Sequence, residues 1–552
     1  MRRSLLTALL FALLASCSGI ASDGPVGGSV IVGEAADADA LLPPLFGSIS
    51  GRIASELLFD PLAELSGSLN VVGDSAFAPR LARRWEWSRD SLTIRFSIDP
   101  SARWHDGHPV RATDVTFAFH TIRDSLNASP VVSNLGSIDS VIAEDSLTAA
   151  VHFSRRYAEQ FFHASRIVPI PEHLLGGIAP GQALRTSPQA LHPIGSGQFR
   201  FVSWEPKVRL EFAAVEDHYR GRPKLDRVLF VVSGDPAAGL AQIWSGEADV
   251  WEPLLPGQVA DAATRSHVRV IAGPGYDYGF LAFNLRDARD RTRPHPLFGD
   301  RTLRRALTMA IDRDAVRRAA LDSLGLAGLG PFVREQATAD TTIEQIPFDR
   351  AAAEATLDSV GWSQRGSDGV RRRGRERLSF TITVPTSSVP RMRSATVLQE
   401  QFRQVGVEVT VRSLEFGAML AEVDGRRFDS VLWTWRTSPS PSSLRSTWAS
   451  TAVPDGGRQN FGSYENASFD RAVLDGLDAT DLATRRASLR RAYQQIVDDA
   501  PAIWLFEVRS LAAVHRRFDI PNWRSDAWWL TLGEWTVDPA QRLPRDARPT
   551  TP

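Results

Sequence analysis

The sequence predicts an α/β protein built from more than one lobe. At 552 residues the chain is too long for a single hydrophobic core. Short apolar runs of period two alternate with amphipathic stretches of helical period along its length. A proline- and glycine-rich stretch, residues 170–197, divides parts of different pattern. Apolar residues at 43% and charged residues at 23% suit a folded globular chain rather than a disordered one.

Arg2 and Arg3 precede an apolar run from Leu5 to Leu14, which ends in Leu14-Ala15-Ser16-Cys17. A basic start and a run too short to span a bilayer make a secretory signal. The lipobox-like ending makes Cys17 the expected lipidated first residue of the mature chain, anchored to the membrane by its acyl groups. Cys17 is the only cysteine, so no disulfide forms within the chain. Residues 18–28, rich in Ser, Gly and Asp, read as a tether.

Ser29 to Gly33 reads as a first strand and Ile49 to Leu58 as a helix. Further on, Leu92 to Ile98 is strand-like, Thr113 to Ser125 a helix, and Thr148 to Phe153 a strand. Residues 198–230 alternate as strands, and Asp235 to Ala248 is a helix. A long amphipathic helix is expected at 301–319 and another at 349–360. Then come strand 377–384, helix 391–405, strands Val407 to Val411 and Asp429 to Trp435, and helix 483–499. Residues 541–552 read as a disordered tail.

Several chemistries find little support. Net charge near −1 gives no reason to expect nucleic acid. His105-Asp106-Gly107-His108 could suggest metal ligands, but Gly107 and Pro109 make it a turn, and no nearby run completes a site. Asp106 is expected to bond turn amides, Gly107 to take a positive φ, and Asp114 to sit at a helix start. Gly195-Ser196-Gly197 lacks the spacing and lysine of a phosphate loop and suits a crossover turn between lobes. No nucleophile elbow occurs. The expectation is no metal, no cofactor and no enzyme activity.

One stretch points to a function. Leu81, Ala82 and Trp85 lead into a strand; Trp104, Asp106, Gly107 and Pro109 follow, then Ala112, Asp114, Val115 and Phe117. This resembles the signature of the family 5 extracellular solute-binding proteins of peptide and nickel ABC importers. The resemblance continues in family order through His192–Phe199, Tyr219–Asp226, Ser245–Asp249, Phe280–Asn284, Leu303–Arg313, Phe348–Ala353, Gly361-Trp362, Phe428-Asp429 and Asp499–Pro501.

It implies a two-lobed periplasmic-binding-protein fold (class II, cluster C type) with an extra domain inserted in lobe one. Mapped here, lobe one is 25–60, 192–275 and 506–540, the extra domain 61–191, and lobe two 276–505. It also implies a monomer that binds a peptide or peptide-like solute between its lobes. The solute would be handed to an ABC permease and ATPase complex at the extracytoplasmic face of the membrane. The alternatives are a solute-sensing lipoprotein receptor that signals through a partner, or a binder of a non-peptide anionic solute. Nickel ranks low, because few histidines stand where a nickel complex would need them.

The segment Phe428 to Pro441 departs from the family. Peptide-binding members place an aspartate within a few residues of the strand's tryptophan, to pair with the ligand ammonium. Here Arg436, Thr437, Ser438, Pro439 and Ser440 stand instead. Arg436 favours a carboxylate. Trp433 and Trp435 share one strand face, which either packs on a helix or brings an indole to the cleft. Tyr276, Tyr278 and Phe280 share another face, and Asn284 ends that strand. The candidate ligand-binding residues are therefore Trp433, Trp435, Arg436, Asn284 and Tyr278. The cluster Trp523, Trp528, Trp529 and Trp535 is expected to seal lobe one.

Overall fold

A computed structural model describes residues 25–453 and 456–547. The signal segment, Cys17, the start of the tether and residues 548–552 lie outside the described residues. No helix among the described residues is long and apolar enough to cross a membrane.

One eleven-stranded sheet runs through the molecule. Its path is Glu408–Leu414, Ser379–Pro385, Ser430–Arg436, Val268–Phe283, Ala502–His515, Val250–Trp251, Ser29–Glu34, Arg227–Val232, Arg209–Ala214 and Phe199–Glu205. Gly325–Ala327 also pairs with Ala502–His515. The two long strands, Val268–Phe283 and Ala502–His515, run antiparallel and belong to both halves of the sheet. Their ladder shifts register twice, between Gly273 and Asp277 and again between Gly279 and Phe280; the first is the wider interruption. Gly273 faces Ser510 and Asp277 faces Val508, so Pro274, Gly275 and Tyr276 stand opposite the single Arg509. Gly275 is needed there, because a Cβ would lie 1.8 Å from the Val508 carbonyl oxygen.

Side chains alternate across the sheet, and both faces are covered. Beyond the interruption, Tyr278, Phe280 and Ala282 enter one buried cluster, while Leu281 and Phe283 enter the cluster on the opposite face. In the other half, Val30, Val32 and Val228 join a core shared with residues 61–191 and with Trp528, Trp529 and Trp535. Trp523 is partly buried and stacks on Trp528 at 5.5 Å, which ties this cluster into the same core.

Residues 61–191 carry their own four-stranded sheet, ordered Ala82–Trp87, Thr93–Ile98, Thr148–Phe153 and Ile138–Ala143. Phe161 sits at its centre, 4.6 Å from Phe77, 4.7 Å from Trp85 and 5.6 Å from Phe96. The helix Ala112–Arg123 covers this sheet. Asp114 in its first turn is buried and ties three segments together. It accepts from the Arg111 amide at 2.8 Å, the Trp104 indole at 3.2 Å and the Glu172 amide at 2.9 Å. Gly107 has φ +89° and the His108 amide bonds Asp106, as a tight turn requires.

Three expectations need correction. The helix at 301–319 is two helices, Arg301–Met309 and Arg313–Leu321. Apolar periodicity continues across the break, but Asp312 caps the second helix by accepting from the Asp314 and Ala315 amides, both at 3.0 Å. Gly195-Ser196-Gly197 does not cross between the sheet halves. It returns the chain from residues 61–191, with the amides of Ser196 and Gly197 both on the Leu58 carbonyl. A Cβ on Gly195 or Gly197 would strike the Leu58 or Leu57 carbonyl at 2.0 or 2.4 Å.

The third correction concerns residues 541–547, which are not a loose tail. Asp546 is buried and accepts from the Ser29 amide at 2.9 Å, the Ser29 hydroxyl at 2.6 Å and the Leu543 amide at 2.7 Å. It also pairs with buried Arg517, which bonds both oxygens of Asp249 at 3.0 Å.

Candidate functional site

A cavity of about 520 Å³ opens where the two halves face each other. One wall is built from helix Ile49–Leu58, the stretches 131–134 and 162–168, and residues 524–530. The opposite wall is Tyr276 and the segment 436–446. Tyr276 lies in the interruption of the long ladder, and its carbonyl accepts from the Thr437 amide at 2.8 Å. That bond fixes the start of the 436–446 wall. Gln336 braces the same turn from behind, donating to the Ser438 carbonyl at 2.8 Å.

Of the candidate residues, Arg436 and the Thr437–Ser440 segment border the cavity. Arg436 has a side chain 66% exposed and, among the described residues, one weak partner, Asp277, at 3.5 Å. Burial raises the Asp277 carboxyl, while Arg436 and Arg391 pull it down. The other candidates are not among the cavity-lining residues. Trp433 packs against Phe416, Phe461 and Trp435, and Trp435 stacks on Phe461 at 5.4 Å. Tyr278 is buried, and its hydroxyl accepts from the Trp448 indole at 3.0 Å. Asn284 is fully buried and clips neighbouring backbone, donating to the Phe428 carbonyl at 2.9 Å and the Arg426 carbonyl at 3.1 Å.

Parity along the strand marked Tyr276 and Tyr278 as equals; only Tyr276 reaches the cavity. It is 4% exposed, and its hydroxyl has no hydrogen-bond partner among the described residues.

Sequence reasoning also missed Arg166 and the acids of the first wall. Arg166 follows the short helix Gln160–Ser165 and carries no motif that would announce it. The acids are engaged: Glu56 by Arg52 and the Trp529 indole, Glu64 by Arg80 and Arg524, Asp526 by Arg524.

An acid does meet the segment after Trp435, but it comes from another part of the chain. Ser440 donates to both carboxylate oxygens of Glu159 at 2.8 Å, and Arg485 pairs with the same carboxylate. Glu159 is 4% exposed and Arg485 fully buried, so the charge is already neutralised.

The turn at 105–108 gains a partner the sequence did not suggest. His173 lies 2.7 Å from Asp106, and its ring stacks on His108 at 4.2 Å. Three potential ligand atoms of Asp106, His108 and His173 fall within 4.8 Å, all on exposed residues. Asp106 accepts from the His108 amide at 3.0 Å as well, so the cluster is accounted for as a polar brace between the turn and the helix Glu172–Leu175.

With this geometry in hand, comparison with known proteins is direct. The model for bacterial extracellular solute-binding proteins, family 5 (middle region), matches residues 76–455. The chain belongs to this family. Oligopeptide-binding protein AppA of Bacillus subtilis is 24% identical over 526 residues, covering 91% of this chain and 92% of that protein. Its structure, in complex with a nonapeptide, superposes with a TM-score of 0.72 at 21% identity, over 93% of this chain and 100% of that one. The ABC transporter substrate-binding protein CtaP of Listeria monocytogenes gives a TM-score of 0.80 at 21% identity, over 93% and 99%. The fold is the two-lobed class II solute-binding fold, and the role is binding rather than catalysis.

Proposed function

We propose that this family 5 protein is the substrate-binding component of an ABC importer, which captures a peptide or peptide-like solute and delivers it to a permease and ATPase complex. One observation carries the reading. The cavity lies between two halves joined by two long strands, with Tyr276 and the 436–446 segment on one wall. At about 520 Å³ it suits a small solute. Lobe boundaries near 275 and 505 are part of the proposal, and the ladder interruption between Gly273 and Asp277 supports the first of them. Anchoring by Cys17 at the extracytoplasmic face, and action as a monomer, complete the proposal.

Native mass spectrometry of the purified protein tests it. A retained mass matching short peptides supports the reading. Retained masses of another chemical class would replace the peptide with that class.

A further inference from the structure

We propose that a second cavity, separate from the one between the two halves, binds a phosphate group through Arg286, Arg291 and Arg426. It measures about 340 Å³, is built wholly from residues 286–465, and shares no lining residue with the solute cavity. The proposal goes beyond the solute-binding reading and does not rest on it.

Two buried asparagines build the frame. Asn284 accepts from the Arg286 amide at 3.3 Å and donates to the Arg426 carbonyl at 3.1 Å, which gathers two of the arginines around one strand end. Asn460 donates to the Ala449 carbonyl at 3.1 Å and the Tyr464 carbonyl at 2.7 Å, and accepts from the Tyr464 amide at 3.0 Å. Those bonds fix the loop that carries Ser463 and Glu465.

The frame holds more positive charge than it neutralises. Arg291 donates to the Ser463 hydroxyl at 3.3 Å, and Arg426 to the Val423 carbonyl at 3.3 Å beside the Phe461 ring at 5.1 Å. Neither has a carboxylate partner among the described residues. Burial, together with the Arg291 charge and against Asp424, holds the Arg426 pKa below its ordinary value. Arg286 does pair with Glu465 at 2.8 Å, but the Glu465 side chain is 54% exposed, and such a pair is worth little. Glu465 is the one acid lining the cavity among the described residues, so two of the three cations stand unmatched. A phosphate dianion supplies both missing charges and enough oxygens for more than one planar fork, whereas a carboxylate fills one. The group arrives either as free phosphate or a monoester, or as the diester of a lipid headgroup.

Isothermal titration of the purified protein with inorganic phosphate, at ionic strength held constant with chloride, tests this. Wild type should bind it saturably, and acetate roughly tenfold more weakly or less. Arg291→Gln combined with Arg426→Gln should weaken phosphate binding by roughly tenfold or more, the scale of a charged hydrogen bond, and leave capture of a retained solute unchanged. If the double variant folds poorly, Arg291→Gln alone, at an exposed side chain, should show a smaller loss in the same direction. Dimethyl phosphate identifies the source. Binding as tight as that of phosphate assigns a headgroup diester, and weaker binding assigns free phosphate or a monoester. The inference is overturned by wild type that shows no saturable phosphate binding, by acetate bound as tightly as phosphate, or by variants with unchanged phosphate affinity. Each of these leaves the solute-binding reading standing.

Discussion

Removing the Glu159 carboxylate should push this protein toward its open form. Glu159 comes from the 61–191 region, whereas Ser440 and Arg485 come from the opposite half. In this structure, where Glu159 meets Ser440 and Arg485 across the two parts, Arg485 is fully buried, and its Nε and Nη1 have no partners among the described residues. Glu159 is therefore its main compensation. His163, 3.7 Å from Glu159, is held neutral by burial and offers no substitute. Breaking a buried ion pair by deleting one partner costs about 3–5 kcal/mol. If opening hydrates Arg485, that cost falls on the closed form alone. The closed population and solute affinity then drop by roughly a hundred- to a few-thousand-fold. Small-angle scattering of Glu159→Ala should show a larger radius of gyration, and titration with a retained solute should show the weaker binding. Arg485→Met on the Glu159→Gln background should recover much of the loss, since apolar replacement of a buried pair is often neutral. Unchanged scattering and affinity in Glu159→Ala would refute the reasoning.

Three further outcomes are expected. Cys17→Ala should move the protein from the membrane fraction to the soluble fraction after cell fractionation; a mutant still in the membrane pellet would sink the anchor. Deleting residues 541–552 should cost about 3 kcal/mol or more in denaturant titrations, because Arg517 loses Asp546 in a buried network; a silent deletion would show that Asp249 alone suffices. His105 accepts from the Gly195 amide at 3.2 Å and donates to the Gly197 carbonyl at 2.9 Å, and burial lowers its pKa from 6.5 to about 4. The unfolded ring takes up its proton first as pH falls through that window, so stability is lost between pH 6.5 and 4 and unaffected above it. His105→Asn should flatten this part of the acid limb; an unaltered pH profile would count against the assignment.

Local chemistry made much of the fold legible. Ser48, Asp235 and Asp481 cap helices close to where the pattern places them, because a cap and its amides lie within three residues. The misplaced helix at 301–319 has the same cause: Asp312 is a capping residue, and apolar periodicity hides it. The candidate site was less legible. Arg436 stood out because it replaces an expected acid. The carboxylate that meets Ser440 lies 281 residues away, and the sequence gives no sign of that meeting. Tyr276 and Tyr278 have the same parity, and only the ladder interruption between Gly273 and Asp277 separates their roles.

That interruption has a mechanical consequence. Pro274, Gly275 and Tyr276 have no partner in the ladder with Ala502–His515, so a bend there exchanges few backbone hydrogen bonds between the two long strands. Little elastic resistance then comes from the backbone, and the resting angle is left to side-chain contacts and the solute. The segment thus acts as a free pivot with separately adjustable catches. Two dyes placed on either side of it would convert solute capture into a change in energy transfer, which suits the protein to use as a reagentless optical sensor.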